Sequence, residues 1–228
     1  MSEGGAMKTM KRALAMLMAA FIIAGIFAPV SPQAATKPTV SFYGWAKEDQ
    51  SACYLKIKNA GSDGYNYRIY VSGKLYKANG KSVLSDRSLC KVCGIPKNTV
   101  VTVSVKGVKQ STWSSRYVIV PVLIDGKTLK ISFPSNSKKA KFTWTKIKGA
   151  TDYVVQISKN PSKGWTKVAT TKNNYATVSK FQGKDFGTYT DYYYRVVPRR
   201  KVGSKYYGSK FPKADWYAGK FWFTVTYK

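Results

Sequence analysis

Apolar and polar residues alternate with a period of two along most of the chain. The clearest runs are Tyr67-x-Ile69-x-Val71, Phe142-x-Trp144, Tyr153-x-Val155-x-Ile157 and Tyr192-x-Tyr194-x-Val196. Such alternation predicts half-buried β-strands, and short clusters of Gly, Pro, Asn and Asp separate the runs. Many short strands joined by turns are typical of β-sandwiches and barrels. The pattern therefore predicts an all-β protein.

The strand pattern occurs twice. Tyr153 in the second half follows Tyr67 in the first half by 86 residues, and each opens a similar run. A repeat of this length fits two tandem modules. We place the boundary in the turn-rich stretch 122–127, which predicts β-sandwich modules at residues 36–124 and 125–228.

The C-terminal tail is rich in aromatic residues. Phe221, Phe223, Val225 and Tyr227 occupy alternate positions, and Trp222 falls between the first two. This alternation predicts that the second module ends in an extended aromatic strand, either displaced or additional. Trp222 would lie on the face opposite to that of Phe221 and Phe223.

The first 35 residues have the layout of a secretory signal peptide. Three basic residues, Lys8, Lys11 and Arg12, precede an apolar run of 16 residues at 13–28. This run is shorter than the roughly 20 residues that span a bilayer. A signal helix cleaved near Ala35 is therefore favoured over an uncleaved anchor. We expect a secreted protein, extracellular or associated with a cell wall, with no transmembrane segment in the mature chain.

Three stretches of the second half share residues with a known family. They are 142–155 (FTWTKIKGATDYVV), 167–171 (KVATT) and 192–196 (YYYRV). On these stretches, residues 138–209 resemble a fibronectin type III domain of the kind found in secreted proteins of Gram-positive bacteria. Residues 37–124 resemble the family only weakly and are interpreted as an immunoglobulin-like sandwich.

The resemblance implies architectural roles for Trp144 and Tyr192, and Tyr153 is also interpreted as a structural residue. Trp144 would fill the core between the two sheets. Tyr192 would open the sixth strand and form a hydrogen bond back to the preceding corner. In the first half, Leu55 or Ile57 stands where the family has the core tryptophan.

The three cysteines are Cys53, Cys90 and Cys93. The last two have the spacing of a zinc knuckle, but a tetrahedral zinc site needs four ligands, and the chain has three Cys and no His. In an exported protein, oxidation is the usual fate of thiols. Because the strand of Cys90 neighbours that of Cys53 in this fold, we expect a disulfide from Cys53 to Cys90. Cys93 is the alternative partner for Cys53, and free thiols are the next alternative.

Composition argues against catalysis. The chain contains no His, and Glu48 is the only Glu after the predicted signal peptide. Histidine is the side chain that most often transfers protons near neutral pH. Several aspartates stand in or beside predicted turns, where they normally have structural roles. We expect no enzymatic activity, no cofactor and no metal.

The chain is strongly basic, with 39 Lys and Arg against 10 Asp and Glu and a net charge of +29. Cleavage after residue 35 would remove three basic residues and Glu3, which leaves +27. A charge of this size attracts polyanions. We therefore expect anionic cell-wall or extracellular polymers as partners, with glycans or host surface proteins as alternatives. Nucleic acid is less favoured, because aromatic residues are also common in β-sheets.

Seven residues are candidate ligand contacts because they are aromatic or basic and fall in loops, hairpins or the tail. They are Trp165, Trp222, Tyr206, Tyr207, Arg199, Arg200 and Lys201. Taken together, these features predict a non-catalytic binding or scaffolding protein held to anionic surface polymers. The alternatives are an adhesin for glycans or host proteins and an accessory spacer for a secreted enzyme.

Overall fold

The computed structural model describes residues 36–60, 63–124, 127–133 and 138–210, and the backbone of 222–224. The predicted signal helix at 1–35 and most of the predicted aromatic tail lie outside these ranges. Within them the regular structure consists of β-strands. They contain no helix long and apolar enough to cross a membrane.

The first module contains seven strands. They are β1 (Thr39–Trp45), β2 (Ala52–Lys58), β3 (Tyr65–Val71), β4 (Lys74–Ser82), β5 (Leu89–Cys93), β6 (Val101–Gly107) and β7 (Tyr117–Ile119). The smaller sheet has the order β1-β2-β5 and the larger sheet the order β4-β3-β6-β7. The pairings within both sheets are antiparallel.

The second module repeats this plan. Its strands are β8 (Leu129–Ser132), β9 (Ala140–Trp144), β10 (Asp152–Ser158), β11 (Thr166–Thr171), β12 (Tyr175–Val178), β13 (Lys180–Phe181), β14 (Lys184–Asp185), β15 (Asp191–Val202), β16 (Lys205–Gly208) and β17 (Trp222–Thr224). The smaller sheet has the order β8-β9-β12, and the larger sheet has the order β11-β10-β15-β16. Strands β13 and β14 form a separate small hairpin.

The strand order is the same in both modules and defines their fold class. In each larger sheet the fourth strand pairs with the third, whereas in an immunoglobulin constant domain the fourth strand joins the opposite sheet. Both modules therefore have the sheet arrangement of a fibronectin type III sandwich. The prediction of an all-β protein with two tandem sandwiches is confirmed.

Strand β17 is an addition to this plan. It pairs antiparallel with the start of β15, with Trp222 opposite Tyr193 and Phe223 opposite Tyr192. Strand β16 pairs with the end of the same long strand, from Arg199 to Val202. The predicted C-terminal strand is thus present as backbone at 222–224, and its side chains lie outside the described residues.

Each module has its own hydrophobic core. In the first, Leu55 on β2 is fully buried and Trp45 on β1 packs into the same cluster. In the second, Phe142 and Tyr194 face each other across the sandwich, with ring centroids 5.4 Å apart. Trp144 is also buried there, and its ring lies 5.2 Å from that of Tyr153. Alternate residues of each strand supply these contacts, because successive side chains point to opposite faces of a sheet.

Two buried tyrosines tie loops of the second module to its core through their hydroxyl groups. The Tyr192 hydroxyl accepts a hydrogen bond from the Gly187 N–H at 2.8 Å, which is the backward bond that the resemblance implies. The Tyr153 hydroxyl accepts one from the Ile147 N–H at 2.9 Å. Burial raises the Tyr153 pKa above its usual value, against the opposing effect of this hydrogen bond.

In the first module, Tyr67 depends on a glycine opposite it. Tyr67 and Gly80 face each other across β3 and β4, and the tyrosine ring covers the position that a Gly80 side chain would occupy. A Cβ atom at residue 80 would lie 2.2 Å from the ring. This arrangement leaves the Tyr67 hydroxyl free to accept the Cys93 N–H at 3.1 Å, which links the two sheets.

Replacing Gly80 with Ala should therefore destabilise the first module. The new methyl group would displace the Tyr67 ring, and overpacking of this kind costs roughly 1–3 kcal/mol. Denaturant unfolding should show a lower midpoint for Gly80→Ala. Gly44→Ala is the matched control, because a Cβ at residue 44 meets no atom within 4 Å. Equal midpoints for the two variants would contradict this account.

Candidate functional site: the junction of the two modules

Residues from the first module contribute to the second core. Val100, from the segment before β6, and Val120 and Leu123, from the segment after β7, pack with the core residues of the second module. The backbone is joined there as well, since the Val100 N–H donates to Lys148 O at 2.8 Å and the Lys148 N–H donates to Asn98 O at 2.8 Å. Lys37–Lys228 form one compact unit.

A buried glutamine holds the connecting segment. The Gln50 side chain accepts the Val122 N–H at 2.8 Å and donates to the Val122 carbonyl at 2.9 Å. Gln50 is only 9% exposed, so water does not replace these bonds. On the other side of the segment, the Ser209 hydroxyl donates to the Pro121 carbonyl. Residues 121 and 122 are therefore bonded to both modules.

Two clefts flank β16 at this junction. The first, called here the lysine cleft, has a volume of about 290 Å³ and is lined by Phe42, Tyr117, Lys205, Tyr206 and Lys210, among others. Within its lining, the Phe42 N–H donates a hydrogen bond to the Tyr117 hydroxyl at 3.2 Å.

The second cleft, called here the arginine cleft, has a volume of about 250 Å³. Tyr70 and Arg116 line it from the first module, and Arg200 lines it from the second. Val118 and Tyr207 line both clefts and so form the wall between them. Among the described residues, neither cleft is lined by Asp or Glu.

The basic residues predicted on β15 have different environments. Arg199 forms two hydrogen bonds with the Asp152 carboxylate, both 2.7 Å, and lies over the Tyr206 ring at 4.4 Å. The hydrogen bond to Asp152 raises the Arg199 pKa. Arg200 donates to the Gly149 carbonyl at 3.1 Å. The Lys201 ammonium lies 5.6 Å from the Tyr206 ring centroid. Arg199 is thus neutralised, whereas Arg200 faces the arginine cleft.

The predicted tyrosines of β16 lie at the junction. Tyr206 is 43% exposed, and Tyr207 is partly buried against the second core. The Lys205 ammonium lies 5.3 Å from the Tyr207 ring centroid. Lys205 was not among the predicted contact residues, although it lies directly before Tyr206 in the chain.

The two predicted tryptophans are remote from the clefts. Trp165 precedes β11, and the Arg195 guanidinium lies over its ring at 4.2 Å. Arg195 also donates to the Gln156 side chain at 2.7 Å, and burial lowers its pKa. Arg195 and Arg199 are four positions apart on an extended strand, roughly 13 Å. Trp222 pairs through its backbone with Tyr193, beyond Arg195. The seven predicted contact residues therefore fall into two groups rather than one site.

The structure adds cation–aromatic pairs on the larger sheet of the first module. Trp113 has the Arg68 guanidinium 4.2 Å from its ring centroid and the Lys106 ammonium at 5.3 Å. The Arg116 guanidinium lies 3.9 Å from the Tyr70 ring centroid. Burial alone would raise the Tyr70 pKa, but hydrogen bonds with Ser104 and Arg68 and the charge of Arg116 lower it.

Described acidic residues have local structural partners. Asp49 accepts the Ser51 N–H and hydroxyl, and Asp86 does the same with Ser88. These hydrogen bonds lower the pKa of both carboxyl groups. Asp63 forms ion pairs with Arg87 and Lys109. Within the described ranges, no group of three or more His, Cys, Asp or Glu could hold a metal ion.

All three cysteines are free thiols in this structure. Cys53 lies opposite Val92, whereas Cys90 lies opposite Leu55. Cys53 and Cys90 are thus diagonal neighbours, roughly 7–8 Å apart, whereas a disulfide spans about 4.4–6.8 Å between Cα atoms. Cys93 lies opposite Ala52, on the face away from Cys53. The expected Cys53–Cys90 bond is therefore not formed, and neither is the alternative with Cys93.

Similarity to known proteins is found among solved structures. No family model matches the chain, and no curated protein does so. Among solved structures, it is similar to a cytokine receptor complex at 12% identity and a TM-score of 0.40, covering 72% of this chain and 84% of that chain. A two-domain fibronectin type III segment of chicken tenascin has 15% identity and a TM-score of 0.30, with 75% and 95% covered. For chicken CNTN1 FN1–FN3 domains, the identity is 13% and the TM-score 0.29, with 76% and 64% covered. The fold assignment rests on the strand order described above.

Replacing Gln50 with Ala should loosen the junction. The Val122 N–H and carbonyl would lose their partners in a buried place, and each unsatisfied group costs roughly 1–3 kcal/mol. Denaturant unfolding should show a lower free energy of unfolding. Gln110→Ala is the control, because Gln110 bonds Asn59 and Gly107 near the surface, where water can replace it. An equal or larger loss in the control would contradict a special role for Gln50.

The buried thiols should react slowly in the folded protein. Burial raises the Cys90 pKa to about 12 and raises that of Cys53 as well, and only the thiolate is reactive. At pH 8, a thiol reagent should therefore label Cys93 before Cys53 and Cys90, and denaturant should make all three accessible. Mass spectrometry of the untreated protein should show three thiols. A mass lower by two hydrogen atoms would establish a disulfide instead.

Proposed function

We propose that this is a non-catalytic binding or scaffolding protein, secreted or associated with a cell wall, that is held to anionic surface polymers by its positive charge. The observation that carries the proposal is the excess of 39 basic over 10 acidic residues. A field of this strength draws polyanions to the whole surface and raises their local concentration.

The use of the acidic residues supports this proposal. Asp152 is engaged by Arg199, Asp63 by Arg87 and Lys109, and Asp185 by Lys138. Carboxylates that hold turns and loops in this way are structural, and they are too few to neutralise the lysines. The same arrangement supports a non-catalytic role, because these carboxylates already have partners and the chain has no His.

The distribution of lysines also fits a surface-wide interaction. Lys56 and Lys58 are exposed on the smaller sheet of the first module, and Lys130 and Lys141 are exposed on that of the second. Charged residues on strands also discourage pairing with other chains. Acidic residues would serve that purpose equally well, so the single sign of the charge points to a partner of the opposite sign.

Retention on purified cell walls at increasing salt tests this function. Walls that carry anionic polymers should retain the protein at roughly 50 mM salt and release most of it by roughly 500 mM, because salt screens exposed charges. Walls stripped of their anionic polymers are the control and should retain little. If both preparations fail to bind at low salt, the proposed function is wrong.

The same experiment separates the two alternatives. Retention that survives 500 mM salt and weakens in Trp165→Ala would favour a glycan-binding adhesin, because stacking on a sugar is less sensitive to salt than charge attraction. Specific capture of a secreted enzyme by the purified protein would favour the accessory role.

A further inference from the structure

The lysine cleft and the arginine cleft have the same chemistry on the two sides of one wall. Each presents two cations and at least one tyrosine, and Val118 and Tyr207 lie between them. Their volumes, about 290 and 250 Å³, are near or below the lower end of small-ligand pockets, roughly 300 Å³. Two small adjacent clefts with the same lining fit neighbouring units of a repeating ligand better than one compact molecule.

The four cations of the clefts, Arg116, Arg200, Lys205 and Lys210, differ from Arg199. Arg199 is paired with Asp152, whereas within the described ranges none of the four forms an ion pair. Arg116 is oriented by the Tyr70 ring and by a 3.4 Å hydrogen bond to the Gly73 carbonyl. Arg200 is oriented by the Gly149 carbonyl at 3.1 Å. Arg116 and Arg200 are thus held in position, and cations without counter-charges are suited to anions from a ligand.

The tyrosines restrict the kind of polyanion. Cations already lie over one face of Tyr70, Tyr206 and Tyr207 at 3.9 to 5.3 Å. Proteins that bind single-stranded nucleic acid usually offer open aromatic faces for base stacking. Here Tyr206, which is 43% exposed and lines the lysine cleft beside Arg199, contributes a hydroxyl group to the lining instead. Such a lining suits a polymer that carries both hydroxyl groups and regularly spaced anions.

We therefore infer that the module junction is a composite binding site for a linear anionic polysaccharide, with adjacent units in the lysine and arginine clefts. This inference rests on the proposed function and names the place and the class of ligand. Both modules are required, because Arg116 and Tyr117 come from the first and Arg200, Lys205 and Lys210 come from the second. The Gln50 contact with Val122 bonds the segment that connects the two modules.

Calorimetric titration with polygalacturonate at low salt tests the inference. Two variants, Arg116→Gln/Arg200→Gln and Lys205→Gln/Lys210→Gln, should each weaken binding about fivefold to tenfold, because oriented charge-assisted hydrogen bonds are lost. Lys130→Gln/Lys141→Gln changes the charge by the same amount on the exposed face of the smaller sheet and should weaken binding less than about twofold. Thermal unfolding of each variant establishes that it is folded.

The outcome separates this inference from the proposed function. Equal losses in all three variants would mean that the whole surface attracts the polymer, so the proposed function would stand and the composite site would be overturned. If the unaltered protein binds neither polygalacturonate nor anionic walls, both are wrong.

A conservative substitution tests the role of the hydroxyl groups. Tyr206→Phe keeps the ring under Arg199 and removes only the hydroxyl. It should weaken polygalacturonate binding about twofold to fivefold, as expected for loss of one modest hydrogen bond. Binding of polyglutamate, which has carboxylates and no hydroxyl groups, should be unchanged. Tighter binding of oligothymidine than of polygalacturonate at equal charge would overturn the assignment to a polysaccharide.

Discussion

The burial of first-module residues in the second core is the contact on which the other features of the junction depend. Val100, Val120 and Leu123 lie outside the strands of the first sandwich and pack with the core residues of the second. Removal of such side chains from water stabilises the contact by roughly 25 cal/mol per Å² of apolar surface. Polar groups of the connecting segment must then find partners, and Gln50 supplies them for Val122. The two clefts lie beside this contact, since Val120 lines one of them and Val100 the other.

The fold could be predicted from the sequence because it depends on local alternation. Runs such as Tyr192-x-Tyr194-x-Val196 identify the buried face of a strand, and the structure buries these three residues while their neighbours are half-buried or exposed. The hydrogen bond of the Tyr192 hydroxyl could likewise be predicted, from a family resemblance that is confined to a few short motifs. Where the family pattern was weak, as in the first module, alternation still predicted the strands, but their order in the two sheets came only from the structure.

The candidate site could be predicted only in part. Tyr206, Tyr207 and Arg200 were found because they are neighbours in one hairpin. Phe42, Tyr70 and Arg116 were missed, since nothing in the sequence shows which residues of one module face the other. The cysteine pairing failed for a related reason. Burial of Cys53 could be inferred, but the register that sets Cys90 opposite Leu55 depends on the whole sheet.

Aromatic rings give a basic protein a way to keep its cations in place. Arg68 and Lys106 lie over Trp113, Arg195 lies over Trp165, and Arg116 lies over Tyr70. Such contacts contribute roughly 0.5–1 kcal/mol each at exposed sites. They restrict the movement of the cationic side chain but leave its charge in place, whereas a carboxylate partner would neutralise that charge. The protein thus keeps positive charge at its surface on side chains whose freedom is already restricted.

The pairing of β17 with β15 has a consequence for molecules crowded together on a surface. A polymer that gathers many copies brings their sheet edges close, and an unpaired edge is a template for fibril-like association. In the second module, β16 occupies one end of the outer edge of β15 and β17 the other. Strand β17 therefore covers the backbone from Asp191 to Tyr193, which would otherwise be open to pairing with a neighbouring copy.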